Sequence, residues 1–434
     1  MKKGIKVAAK CAGVFAAVLT ILYLLLVLSA CIPNEALKKN YERSAVYYGK
    51  QAAFDGVGEH AICNVTDHFA DAILTGVSWH LGDGNAFASA INTRFNDGGE
   101  QGENVGLLRS VTEGAQANAD YTRYWHGSAM FVRTGHLVTD VNGVKRFGFA
   151  AMLVGAAATL LLLIKKGHKD LALLLALSLC AVNIWNVRLS MEYQPAFVLA
   201  FALCPLYLAM EKHGMERLCL LSTAGGAATA FFDFLTTETV TLLLPVMLVI
   251  AVRAKEGRLQ GMKQELLHLA ALCLCWGAAY AGAFLVKWSA ASLVTGENAF
   301  ALAMHSVAER AGNELSEGSR IGFMQGITAN LTALFYGRER IEAARVLVGS
   351  FSVLAVLGSV WYVARNSKLS SSAKTGSVLM LLLGALVLMR FAALGNHSYL
   401  HALFTHRALC STVFALLASL RLTTWKNRKK GTAR

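Results

Sequence analysis

The chain has 434 residues, of which 55% are hydrophobic and 16% charged, and its mean hydropathy is +0.46. A soluble domain carries about 25% charged residues, so that class is excluded, and helix-length apolar runs exclude the roughly ten-residue alternating segments of a membrane β-barrel. The net charge of +14 does not indicate a nucleic-acid partner, because the basic residues gather at alternate returns of the chain, as membrane topology requires.

Lys2, Lys3, Lys6 and Lys10 precede an apolar run from Ala12 to Ala30. At about 1.5 Å per residue this run is long enough to cross a bilayer, and the lysines hold the N-terminus in the cytoplasm. Leu28-Ser29-Ala30-Cys31 resembles a lipoprotein signal. The run outlasts a usual signal core and a membrane body follows, so residues 1–31 are expected to be an uncleaved anchor.

Residues 32–145 contain no spanning stretch and form an extracytoplasmic loop of domain size. Glu35 to Gln51 reads as a charged helix and Asn64 to His80 as an amphipathic one. Gly82 to Gly114, rich in Gly, Asn and Asp, reads as irregular. Further spans are expected near 147–164, 170–187, 195–211, 218–235, 238–253, 266–286, 345–364, 376–394 and 403–420. Residues 146–286 thus hold helices two to seven, 287–344 a second outer loop, and 345–434 the last three helices and a basic tail. Lys165-Lys166, Lys212 with Arg217, Arg253-Lys255-Arg258, Arg365 with Lys368, and Lys426 to Arg434 sit at every second return. The expectation is an all-α polytopic protein of the plasma membrane, with about ten spans and both termini cytoplasmic. Its nine cysteines show no metal spacing; Cys31 and Cys63 are both expected outside and close enough in topology to pair.

This topology sends the distant polar stretches to the outer face. In Asn64-Val-Thr-Asp67-His68-Phe-Ala-Asp71, a helix would put Asn64, Asp67 and Asp71 on one side. Two carboxylates one turn apart suit a general base, or a divalent metal at an oxygen-rich site. Glu35 is a rival acid just after the anchor. Arg123, Trp125 and His126 offer aromatic stacking on a sugar ring beside an anion contact; an interfacial aromatic belt is the competing explanation. Glu192 and Gln194 lie in a short outer turn, and Asp233 ends an apolar helix, where charge is costly unless paired or functional. Arg390, Asn396, His397, His401 and Arg407 suit a phosphate or pyrophosphate better than a metal, since HxxxH here lacks an adjacent Glu.

Acids on the first outer loop, rings for a sugar and cations at the mouth of the bundle match what a lipid-phosphate-linked sugar needs. A cytoplasmic N-terminus, a first helix followed at once by a large acid-bearing loop, and a multi-helix body together resemble the GT-C superfamily of integral-membrane glycosyltransferases. The resemblance implies a polyprenyl-phosphate sugar donor, a membrane-lipid environment and a catalytic Asp or Glu in the first loop; Asp67 is the first choice, with Asp71 and Glu35 behind it. No cofactor is expected from the residues, a divalent metal at Asp67 and Asp71 being the alternative. The competing classes are a flippase or transporter of an envelope precursor and a surface-polysaccharide polymerase or ligase. A transporter would favour inverted repeats and polar groups along a central path, which the sequence does not display.

Overall fold

A computed structural model describes residues 2–57, 64–312, 321–335 and 370–424, with isolated positions between 350 and 365. The expected span at 345–364, the tail from Lys426 and the Cys63 partner of exposed Cys31 lie outside the described residues. Within them the protein is helical, apart from a two-stranded antiparallel ribbon pairing Arg94 with Asp120 and Phe95 with Ala119.

The membrane body consists of α1 (Lys2–Ala30), α7 (Val141–Lys165), α8 (Lys169–Ala181), α9 (Pro195–Met210), α10 (Met215–Phe232), α11 (Val240–Lys255), α12 (Met262–Thr295), α15 (Ser371–Ala393) and α18 (Leu409–Thr424). Five helices are long and apolar enough to cross a membrane: Gly4–Ala30, Val141–Lys165, Met262–Thr295, Ser371–Ala393 and Ala402–Thr423. Side chains such as Val154, 70% exposed, and Leu274, 71% exposed, lie on their outer surfaces as lipid contacts would. The other expected spans form shorter or more polar helices inside the bundle. At 13 residues, α8 rises about 20 Å, less than the hydrocarbon thickness. It ends at Asn183, in the left-handed region at φ 51°, and a 3-10 segment, Ile184–Leu189, replaces its expected last turns. Apolar on every side, α11 is buried almost throughout, as a central helix must be.

Basic and acidic residues at the helix returns meet at one end of the bundle. Buried Glu211 receives two hydrogen bonds from Arg258, at 2.8 and 2.9 Å, with Lys166 3.9 Å away; Asp170 pairs with Lys255 and Arg421, and Lys10 with Glu216 at 2.5 Å. The expected alternation of returns therefore has a physical counterpart, since these groups come from the ends of seven different helices. Tight packing between α10 and α12 rests on Gly226, where a Cβ would stand 2.1 Å from the Trp276 carbonyl oxygen.

At the opposite end sits the loop domain: α2 (Asn34–Tyr48), α3 (His68–His80), α4 (Ala86–Ile91), α5 (Glu103–Thr112) and α6 (Ala129–Gly135). Two details of the sequence reading are corrected here. The stretch 82–114 contains α4, closed by an Asn85 cap that accepts from Phe87 and Ala88, and α5; composition hid both because their ends are made of Gly and Asn. And α3 begins at His68 and is buried on every side but Phe69, so it is the core of the domain and no amphipathic surface helix. The domain is pinned to the body by Arg133, whose guanidinium donates to the carbonyls of Ser29, Ser78, Trp79 and Ile32 and to Asn34. A second pin is Trp125, donating its indole N–H to Ala283 O at 2.8 Å. α12 itself continues past the expected limit of 286 to Thr295, into the loop domain.

Candidate functional site

The polar stretches meet at the junction of the loop domain and the bundle. Asp67 caps α3: one carboxylate oxygen accepts from Ala70 N at 2.9 Å, and the other accepts nothing among the described residues. Because the side chain is capping, it lies at the mouth of the helix and not along its face. Burial, and then the charge of Asp71, push its carboxyl up to about 7.

Asp71, one turn on, is differently engaged. Its Oδ1 accepts from Ser190 Oγ and Met191 N, both at 2.7 Å, and its Oδ2 from Tyr48 at 3.1 Å and Lys145 Nζ at 3.3 Å. Four partners fill a carboxylate's acceptor sites, so Asp71 ties α2, α3, α7 and the 190–194 turn together. That leaves no oxygen of Asp71 to share a divalent metal with Asp67. Asn64 lies ahead of the helix and meets Asn186 instead of sharing a face with the two acids. Glu35 is exposed in the first turn of α2 and has no contact with the cluster among the described residues.

The 190–194 turn delivers Glu192. Its carboxylate is half-buried and accepts no hydrogen bond among the described residues. Burial raises it well above the usual range, and Asp67, Asp71 and Asp233 add to the shift in that order. Glu192 thus feels acids from two other elements, Asp67 at the start of α3 and Asp233 at the end of α10. Gln194 is turned away: its amide donates to Lys145 O at 3.1 Å and it lines an apolar cavity of about 500 Å3 between α6, α7 and α9, with Leu74, Val144 and Phe232.

Rings cover this acid cluster. Tyr121 and Tyr124 stand edge-to-face at 5.8 Å, and the charge of Glu192 reaches both. Trp125, 2% exposed, is a structural pin, Tyr124 is buried at 5%, and of the rings in this stretch Tyr121 is the half-buried one. Arg123 lies 4.3 Å from the Tyr121 ring centre. His126 is buried at φ 55°; burial and the nearby Lys287 ammonium depress its titration strongly, so the imidazole is neutral, with Nε2 on Tyr121 O at 3.1 Å.

On the far side, Asp233 ends α10 and accepts from the Thr236 amide at 3.0 Å and its hydroxyl. The turn passes through Leu235 at φ 64°, a conformation rare for leucine. That twist aims the Leu235 carbonyl at Arg390 Nη2, 2.6 Å, and His397 Nε2, 2.9 Å. Arg390 grips Glu238 with two bonds at 2.8 and 3.2 Å, so its charge already has a counterion. Residues 395–408 break into short turns, Gly395–Leu400, Ala402–Thr405 and His406–Ala408, so Asn396 and Arg407 do not share the continuous helical stripe expected for them. Asn396 instead donates to Glu309 O at 2.9 Å, while buried Arg407 lies 4.7 Å over Tyr193. His397 and His401 are 4.6 Å apart; burial and neighbouring arginines lower both, His401 to about 4, which keeps them uncharged at neutral pH.

Of the sequence-selected residues, Arg390 and His397 meet at the Leu235 carbonyl, Arg123 and His126 meet at Tyr121, Glu192 feels the charges of Asp67 and Asp233, Arg407 lies over Tyr193, and Glu35 stands apart. Glu238, paired with Arg390, and Arg310, whose charge acts on His401, belong to the same neighbourhood, and Arg310 carries no signal in sequence beyond its charge. Among the described residues no three His, Cys, Asp or Glu side chains approach closely enough to hold a metal ion. Comparison with known proteins finds no matching family, no similar characterised protein and no similar solved structure.

Proposed function

We propose that the protein is a membrane glycosyltransferase of the GT-C kind, moving a sugar from a polyprenyl-phosphate donor to an extracytoplasmic acceptor. What supports this reading is that Asp67, which accepts one hydrogen bond among the described residues, and Glu192, which accepts none, act on each other's charge from separate elements, with Asp233, Tyr121 and Tyr124 close enough to Glu192 to share in it. Buried charge is costly in such a place, and carboxyl groups that form no ion pair among the described residues, such as Asp67 and Glu192, favour proton chemistry over simple stability. The apolar cavity beside Gln194, lined by α7 and α9 and by Met191 next to Glu192, has room for a segment of lipid chain.

In this reading the acceptor hydroxyl oxygen attacks the anomeric carbon. The bond from that carbon to the phosphate oxygen breaks, its electron pair leaves with the phosphate, and the hydroxyl proton passes to Asp67. A carboxyl titrating near the operating pH is suited to this task. Arginines at the recess stabilise the departing phosphate. The test is transfer from polyprenyl-phosphate sugars by the purified protein in nanodiscs. Asp67→Asn, which keeps the cap to Ala70, is expected to abolish transfer while inserting normally; wild-type rates in that variant would remove Asp67 as the base.

A further inference from the structure

Most guanidinium groups near the recess have their partners: Arg133 is saturated by carbonyls and Arg390 by Glu238. Two are different. Arg123 follows the β-ribbon, and Arg310 sits in the last turn of α13 (Ala299–Ala311). Both guanidinium carbons lie 5.7 Å from the centre of the Tyr124 ring, so one tyrosine is flanked by two cations. Neither forms an ion pair among the described residues, and the Nε of each is buried with no hydrogen-bond partner. Arg310 gives only one bond, Nη1 to Ser306 O at 3.0 Å. The backbone holding them is fixed: Trp288 donates to Arg123 O at 3.1 Å, and Asn396 holds Glu309 O beside Arg310.

Burial strips hydration from a guanidinium, and Glu309, whose charge reaches Arg123, forms no ion pair with it. Neutral His397 and His401 nearby do not relieve this. An anion would. We propose that Arg123 and Arg310, both beside the Tyr124 ring, form a clamp for a phosphate dianion. Two planar forks match the charge and the terminal oxygens of a phosphate monoester. The same α13 exposes Phe300, Leu302, Met304 and Val307, an apolar surface next to the clamp that suits the phosphate of an amphiphile. The clamp deepens the transferase reading by placing the donor phosphate, and it can be tested separately from it.

The experiment uses the full chain in phosphatidylcholine nanodiscs, with a long-chain polyprenyl monophosphate and inorganic phosphate as probes. Wild type is expected to bind the polyprenyl phosphate saturably. Arg123→Gln and Arg310→Gln should each weaken it about tenfold or more, as loss of a charge-assisted hydrogen bond does, and Arg310→Lys should recover only part. Arg94→Gln, at the exposed pair with Asp120, should leave binding unchanged. Inorganic phosphate competing only weakly identifies the lipid headgroup as the source; inorganic phosphate binding as tightly by itself identifies free phosphate. Should the glutamine variants fold poorly, the wild-type melting temperature decides: a rise with phosphate and none with chloride at equal ionic strength supports the clamp. No binding by wild type, or unchanged affinity in folded glutamine variants, overturns it. Wild type that binds the phosphate but transfers no sugar overturns the transferase reading and leaves the clamp standing.

Discussion

Asp67 and Asp71 are one helical turn apart, yet their surroundings give them opposite tasks. Free aspartate titrates near 3.9, whereas Asp67 is held up to about 7 in the fold. Between those values the folded protein binds the proton that the unfolded chain has lost. Stability is therefore free of this penalty below pH about 4 and falls as pH rises toward about 7. Asp67→Asn should accordingly raise Tm over wild type at pH 8 and leave it unchanged at pH 4; a gap independent of pH would show that Asp67 titrates normally. Asp71→Asn should do the reverse at neutral pH. It leaves the Lys145 ammonium buried without its carboxylate, which costs about 3–5 kcal/mol, visible as a large drop in Tm and poor yield in detergent. The sequence marked both acids and their spacing. It could not separate them, because the distinction lies in Ser190, Met191 and Tyr48, residues brought in from far along the chain.

At the scale of elements, the same contrast holds. Long apolar helices were readable from composition, as were the alternating basic returns, because membrane solvation acts on each segment by itself. The helices α4 and α5 and the early end of α8 were not, since these depend on caps and on a left-handed residue at Asn183. The close approach of α10 to α12 is equally tertiary. Gly226→Ala would drive a methyl group against the Trp276 backbone, and separating the two helices should cost about 1–3 kcal/mol. A melting curve of the variant checks this; an unchanged Tm would mean that the helices can part without loss. The turn through Leu235 belongs to this scale too. A strained residue whose carbonyl holds Arg390 and His397 is the kind of local cost that functional sites carry.

For the molecule as a whole, the central expectation is two-sidedness. Single cysteines at Gln116, in the loop domain, and at Gln260, among the ion pairs of the opposite end, should label from opposite faces of sealed vesicles in a cysteine-depleted background. Labelling of both from one face would undo the membrane arrangement and the transferase reading with it. The meeting of the polar stretches was legible only as topology: the alternation of spans put them on one side, but which of them touch, and that Trp125 is structural, needed coordinates.

The length of α12 has a mechanical consequence. Its 34 residues extend about 51 Å, enough to cross the bilayer and still stand roughly 20 Å proud of it. The loop domain is bolted to that mast by the Trp125 indole and by Lys287, whose ammonium donates to the Ile91 carbonyl at 2.5 Å. With the cap fixed to the shaft it cannot swing open like a lid. A disulfide engineered between the domain and α12 should then leave the protein's behaviour unchanged, since the two already move as one body.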